Sequence, residues 1–274
     1  MPHAPTTFDI ELNLLLEAVY QKYQHDFRHY ARASLRRRIR QAQERFSCPT
    51  VSRLQERVLH EPEVFAQMLQ YFTVQVSEMF RDPAYFLALR RHVLPVLSTY
   101  PSIRIWVAGC STGEEVWSLA ILLAEAGLLE RTIIYATDIN PEALKAAEAG
   151  IYDIARIADF SRAYLEAGGT RSLADYYTAS EHGALFDRSL RRNAVFADHS
   201  LATDSVFSEV HLVSCRNVLI YFERELQQRA LGLFHDALIH RGFLGLGSRE
   251  TLRFSSHASH FSEFCAAERL YQRL

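Results

Sequence analysis

The sequence predicts an α/β fold, a mostly parallel sheet covered by helices on both faces and preceded by a small all-α domain. Three observations carry this. Residues 8 to about 78 repeat apolar side chains at helical spacing, with no convincing strand among them. From Ile103 onward, short apolar strands alternate with amphipathic helices. A glycine-bearing turn, "VAGCSTGEE" at 107–115, joins the first strand of that alternation to its first helix. A helix between two strands carries the chain back to the end of the sheet where the first strand began, so successive strands run parallel.

The elements follow in order. Phe8, Leu12, Leu15, Leu16 and Val19 share one helical face. "HYARASLRRRIRQAQERF" is amphipathic, with Arg32, Arg36, Arg37, Arg38, Arg40 and Arg45 expected on a solvated basic face. "VSRLQERVL" and "PEVFAQMLQYF" continue the helical period. "IRIWVAG" reads as a strand, and "EEVWSLAILLAEAG" as a helix burying Trp117, Ala120, Ile121 and Ala124, with Gly127 as its stop. A strand "TIIYATD" comes next, then the helix "NPEALKAAEAG", started by the Asn140 cap and Pro141. Residues 151–200 read as short antiparallel strands inserted in this frame. The alternation resumes with strand "EVHLVSCRN", helix "ERELQQRALGLFHDALIHRG", strand "FLGLG" and a last strand near "RLYQRL". His235 and His240 fall on that long helix; with His257 and His260 they read as surface residues, and no metal site is expected.

At 274 residues, with 49% hydrophobic residues and a net charge of -2, the chain suits one large domain or two modest ones. Such balanced charge argues against general nucleic-acid binding. Cys48, Cys110, Cys215 and Cys265 are scattered and form no C-x-x-C pair, which suits a reducing compartment. No basic leader precedes the first apolar run, and no apolar stretch approaches the ~18 residues of a membrane span. A cytoplasmic protein without membrane insertion is the expectation.

Gly109-Cys110-Ser111-Thr112-Gly113 fits the G-x-S-x-G pattern of a hydrolase elbow. However, Glu114 and Glu115 stand at the helix start that would have to stabilise an oxyanion. The same acids, and the lack of a full G-x-G-x-x-G, make the turn a poor seat for pyrophosphate. S-adenosylmethionine suits it better, because that molecule carries an ammonium and a sulfonium and no phosphate. The glycines allow close approach, Glu114 can hold the ammonium, and Asp138 at the end of the second strand can accept both ribose hydroxyls. Taken singly, Glu114 also reads as an electrostatic helix cap and Asp138 as a turn opener.

Together these segments resemble the CheR family, the bacterial chemotaxis-receptor glutamate methyltransferases. "RIWVAGCSTGEEVWSLAI" is similar to the family's cofactor loop, "ATDIN" to its ribose turn and "SCRNVLIYFERE" to its fourth-strand motif. "TVQVSEMFRDPAYF" resembles the family's "TTNxTxFFRDxxHF" linker. The resemblance spans nearly the whole chain. It implies a Rossmann-like class I S-adenosylmethionine-dependent methyltransferase domain over 79–274, with an inserted small antiparallel β-subdomain at about 175–198. The all-α domain, 1–78, would run through a linker to about 90. The implied cofactor contacts are Gln75, Ser77, Arg81, Gly109, Glu114, Asp138, Ser200, Leu201, Arg216 and Asn217. Gln75 and Ser77 replace the family's Asn and Thr, and "DHSLA" replaces a segment that often ends "NLL".

The resemblance implies methyl transfer to glutamates on the cytoplasmic helices of methyl-accepting chemoreceptors, leaving S-adenosylhomocysteine. A carboxylate is ionised near neutral pH, so no general base is required. Arg81 and Tyr221 are implied to aim the acceptor, and Arg32, Arg36, Arg37 and Arg40 to dock acidic receptor helices. A monomer is expected. Some family members hold a receptor's C-terminal peptide through a longer, glycine-rich loop of the β-subdomain. Here the corresponding "TASEHGALF" has only Gly183, so no such tether is expected. A small-molecule methyltransferase and a non-catalytic docking module of the same fold are the alternatives.

Overall fold

The Thr6 hydroxyl oxygen accepts the Asp9 amide hydrogen and opens α1 (Thr7–Tyr23), which buries Leu12, Leu15, Leu16 and Val19. Thr50 likewise caps α3 (Val51–His60), and Pro62 opens α4 (Pro62–Phe72). Between them α2 (Arg32–Arg45) buries Leu35, Arg38, Ile39 and Ala42. The computed structural model describes residues 4–73 and 75–274 and divides into two units, the first comprising these four helices with residues 200–204 and 220–230. Residues 220–230 join the helices through backbone bonds: Ala31 N–H donates to the Tyr221 carbonyl and Glu223 N–H to that of His29, each at 2.8 Å.

Arg38 departs from the basic face expected of it. Its guanidinium is buried, donates to the Phe72 carbonyl and lies 5.0 Å from the Tyr221 ring centroid. Burial lowers its pKa. The residue falls on the inward stripe with Leu35 and Ala42, so its position on the helix overrides its charge.

The second unit is built on a sheet of seven strands. A short helix α5 (Pro83–Ala88), a π-helical turn and α6 (Leu94–Leu97) lead into β1 (Ile103–Ala108). Then come α7 (Glu114–Glu125), β2 (Thr132–Asp138), α8 (Pro141–Ala149), β3 (Ile151–Tyr152), α9 (Ile157–Glu166), β4 (Tyr177–Ser180), β5 (Gly183–Phe186) and β6 (Ala194–Asp198). β7 (Val210–Cys215), α10 (Arg224–Ala237), β8 (Leu238–Leu246), β9 (Phe261–Cys265) and β10 (Leu270–Arg273) complete the chain. β1 pairs parallel with β2 and β7, β2 with β6, and β7 with β8; β10 is antiparallel to both its neighbours. Being interior to the sheet, β1 is buried on both faces, and α7 buries Glu114 and every residue from Val116 to Leu123 against the sheet.

Three differences from the sequence expectation stand out. The irregular stretch divides: β4 and β5 form an antiparallel sheet with β3, while β6 runs parallel to β2 in the main sheet. Residues 194–198 therefore belong to the large sheet rather than to a subdomain at 175–198. "LIHRG" extends β8 instead of α10, because Leu238 continues the apolar spacing of either element. The left-handed Arg241 (φ 63°) lies within β8, and the β7–β8 register shifts between Val210 and Leu212. His240 is thus on a strand, and β9 is a strand that the period did not reveal.

One close approach fixes where α8 ends. Gly150 caps it at φ 62°, and a Cβ there would lie 2.2 Å from Cζ2 of Trp117, which is buried and donates to the Ala147 carbonyl at 2.9 Å. Gly150→Ala should combine left-handed strain with overpacking, a loss of about 2–4 kcal/mol. Urea unfolding measures it; a loss under about 0.5 kcal/mol would contradict this packing.

Candidate functional site

Where β1 ends, Gly109 (φ 72°), Ser111 (φ 51°) and Gly113 (φ 90°) take left-handed conformations and wind the loop tightly into α7. A Cβ at Gly109 would stand 2.5 Å from Val218, and one at Gly113 2.7 Å from Ala147, so neither position tolerates a side chain. The Gly109 and Cys110 amides both donate to the Thr137 carbonyl at 2.8 Å, tying the loop to the end of β2.

There Asp138 is buried and accepts the Ser111 amide at 2.8 Å and the Asn140 amide at 3.0 Å. Burial raises its pKa; the backbone donors at Ser111, Asn140 and Ile139 work the other way, and neighbouring Asp198 adds to the rise. The Ser111 hydroxyl donates to the Gln75 side-chain oxygen at 2.8 Å. An amide oxygen is no general base for a nucleophile, so Ser111 is a loop residue here rather than an activated serine. One turn thereby joins the linker, the glycine loop and the acid of β2.

Glu114 is fully buried. Its Oε2 accepts the Thr112 hydroxyl at 2.7 Å and its Oε1 accepts Arg156 Nη1 at 2.9 Å, while Arg156 Nη2 donates to the Ser77 carbonyl. Next to it, Glu115 accepts the Ser214 hydroxyl at 2.6 Å and Arg216 Nη1 at 3.0 Å. Because Ser214 donates there, the 2.8 Å bond between Tyr85 and Ser214 carries the Tyr85 proton. Burial raises the Tyr85 phenol, and Glu115 adds to it.

The Arg216 guanidinium is 1% exposed, sits 4.1 Å from the Tyr85 ring centroid, and gives Nη2 to the Arg81 carbonyl at 2.7 Å and to Asp82 at 2.8 Å. Burial disfavours its charge, but Glu115, Tyr85 and Asp82 outweigh this and raise its pKa. On either side of Arg81, Phe80 (φ 53°) and Asp82 (φ 55°) are left-handed without being glycine. Ser118 Oγ holds this segment by accepting the Phe80 amide at 2.8 Å. Arg81 lines a cavity of about 330 Å³ with Arg156, Phe160 and Arg162. Asn217 (φ 61°) has its amide held by buried Glu250 at 3.0 Å.

The second unit therefore gathers Gln75, Ser77, Arg81, Gly109, Glu114, Asp138, Arg216 and Asn217. Ser200, Leu201 and Tyr221 belong to the first. Within it, Ser200 and Leu201 form a turn: the Ser200 amide donates to Asp204 at 2.9 Å, and the Leu201 carbonyl accepts Arg229 at 2.7 Å. The sequence reading missed Glu115 as a partner, together with Ser118, Arg156, Ser214 and Glu250. Glu115 carried a signal, since an acid at a buried helix start demands a cation, but its partner lies 101 residues away. His235, His257 and His260 bring their ring centroids within 4.8–6.2 Å, but among the described residues no group of three such side chains could hold a metal ion.

Left-handed glycines, a buried acid at the end of β2 and further acids at the start of α7 fit the ribose hydroxyls and ammonium of S-adenosylmethionine, not a phosphate. With the parallel sheet, they define a class I methyltransferase that uses this cofactor. Residues 75–268 match the family model described as "CheR methyltransferase, SAM binding domain", and residues 10–73 match "CheR methyltransferase, all-alpha domain". The chain belongs to the CheR methyltransferase family. It is 60% identical to a protein of Pseudomonas putida provisionally named methyltransferase Cher3, over 97% of both chains. It is 32% identical to a chemotaxis protein methyltransferase of Listeria monocytogenes, over 68% of this chain and 69% of that one. Among solved structures, the N-methyltransferase NodS of Bradyrhizobium japonicum with S-adenosylhomocysteine is similar at 14% identity, 62% coverage of each chain and a TM-score of 0.35.

Asp138→Asn keeps the side chain's size and removes its charge, and should weaken S-adenosylhomocysteine roughly tenfold, about 1.4 kcal/mol. Calorimetry reads this directly, and unchanged affinity would mean that the ribose lies elsewhere.

Proposed function

We propose that this chain methylates glutamate side chains on chemoreceptor proteins, forming methyl esters and releasing S-adenosylhomocysteine. The observation that carries the reading is the turn at Ser111, which bonds to Gln75 of the linker through its hydroxyl and to Asp138 through its amide. It draws together three of the segments whose residues match the family's motifs. The names of the chemotaxis relatives support the receptor as substrate, and the absence of a helix long and apolar enough to cross a membrane among the described residues is compatible with a cytoplasmic enzyme.

The bound cofactor supplies an electrophilic methyl on a sulfonium. The chain's work is then to hold and orient. Asp138 would take the ribose hydroxyls and Glu114 the ammonium, with Gln75, Ser77, Gly109, Arg216 and Asn217 completing the contacts of the second unit; Ser200 and Leu201 are assigned to the cofactor on the resemblance alone. Arg81 is suited to aim an acceptor carboxylate that is already ionised, and Tyr221 is assigned a share of that role on the resemblance alone. Positioning and desolvating that carboxylate can supply most of the acceleration. We assign docking to residues 1–78 and catalysis to 79–274.

For docking, α2 presents Arg32, Arg36, Arg37 and Arg40 as exposed residues. Arg36 pairs with Asp9 at 2.5 Å, and Arg40 lies 5.2 Å from the Phe8 ring centroid, so part of this charge is already steadied by α1. The connection between β4 and β5 is only Glu181 and His182, a two-residue hairpin turn that leaves little loop for a peptide tether.

The test is transfer of labelled methyl from S-adenosylmethionine to a chemoreceptor cytoplasmic fragment, scored as base-labile methanol. Wild type should label glutamates, and label on small molecules alone would overturn the reading. Reversing charge at Arg36, Arg37 and Arg40 should cut receptor labelling at least tenfold with cofactor affinity unchanged, and added salt should slow the wild type. Full labelling by the triple variant would remove α2 from docking. A C-terminal receptor pentapeptide should give no calorimetric heat; micromolar binding would show a tether.

A further inference from the structure

Glu114 carries the ammonium in the reading above, on which this inference rests, yet its side chain is 0% exposed. A carboxylate so placed is costly unless it is paired and hydrogen-bonded. The groups around it decide whether that cost is met. From the loop, the Thr112 hydroxyl donates at 2.7 Å. Cys110 in the same loop and Tyr152 of β3 feel its charge, and both have their pKa values raised, by burial first and by Glu114 among the lesser causes. The Tyr152 hydroxyl donates to the Thr112 carbonyl at 2.8 Å, not to Glu114. Glu115, the next residue on α7, is a second anion whose own cation is Arg216.

The cation paired with Glu114 is Arg156, from the turn before α9, at 2.9 Å. Its guanidinium lies 4.7 Å from the Phe160 ring centroid and also donates to the Ser77 carbonyl in the linker. One side chain thus ties together two residues assigned to the cofactor and leaves each Glu114 oxygen a lone pair for a further donor. We propose that Arg156 is a positioning residue of the cofactor site, one that pairs with buried Glu114 and holds it oriented toward the cofactor's ammonium.

Calorimetric titration with S-adenosylhomocysteine tests this on the full chain. Arg156→Met removes the charge but keeps the stem on Phe160, and it should bind about fivefold or more weakly than the wild type, because Glu114 is no longer held in place. Arg156→Lys should restore most of the affinity, and Glu114→Gln should be weak with or without the Arg156 change. Wild-type or tighter binding by Arg156→Met would overturn the proposal. Wild-type affinity in Glu114→Gln would instead remove Glu114 from the ammonium, and with it the reading beneath. Thermal unfolding of each variant, run alongside, identifies any that has lost its fold.

Discussion

Taking the Arg216 guanidinium out of water costs several kcal/mol before any partner is counted, and the second unit is arranged around recovering that cost. Its two terminal nitrogens meet Glu115 at the start of α7, Asp82 and the Arg81 carbonyl in the linker, and its plane faces Tyr85. Behind Glu115 the bonds continue through Ser214 to the Tyr85 hydroxyl. Linker, sheet and helix start are thus referenced to one buried charge. The geometry explains why arginine stands here: a lysine offers a point charge where a planar fork must reach opposite ways.

What the clamp holds is a segment that would otherwise relax. Left-handed Phe80 and Asp82 each cost on the order of 1 kcal/mol or more, and they flank Arg81, the side chain assigned to aim the acceptor. Ser111 and Asn217 are strained in the same sense within the loop after β1 and the turn after β7. Four of the eight left-handed non-glycine residues among those described lie in segments assigned to the cofactor, and there the strain has a physical use: it fixes directions that a relaxed chain would leave open.

Sequence and structure agree most where a local signal decides the conformation. Asn140 and Pro141 start α8 as their chemistry requires, and the apolar run at 103–108 is an interior strand of the sheet. The left-handed glycines of the loop after β1 are legible in the same way, because their conformation is written in adjacent residues. Agreement fails where the deciding partner is distant. Arg38 reads as one more surface arginine until Phe72 and Tyr221 are seen against it. "LIHRG" carries apolar spacing that either α10 or β8 could use, and pairing with β7 settles it. Arg156 has no motif at all; only the fold brings it to Glu114.

One buried cation sets the conformation of the linker, and amide hydrogen exchange reads that dependence directly. In the wild type the Phe80 amide, bonded to Ser118, should exchange as slowly as amides of β1 and β7. In Arg216→Met, protection at Phe80 and its linker neighbours should fall at least a hundredfold while the strands stay protected. Unchanged protection at Phe80 in that variant would contradict it.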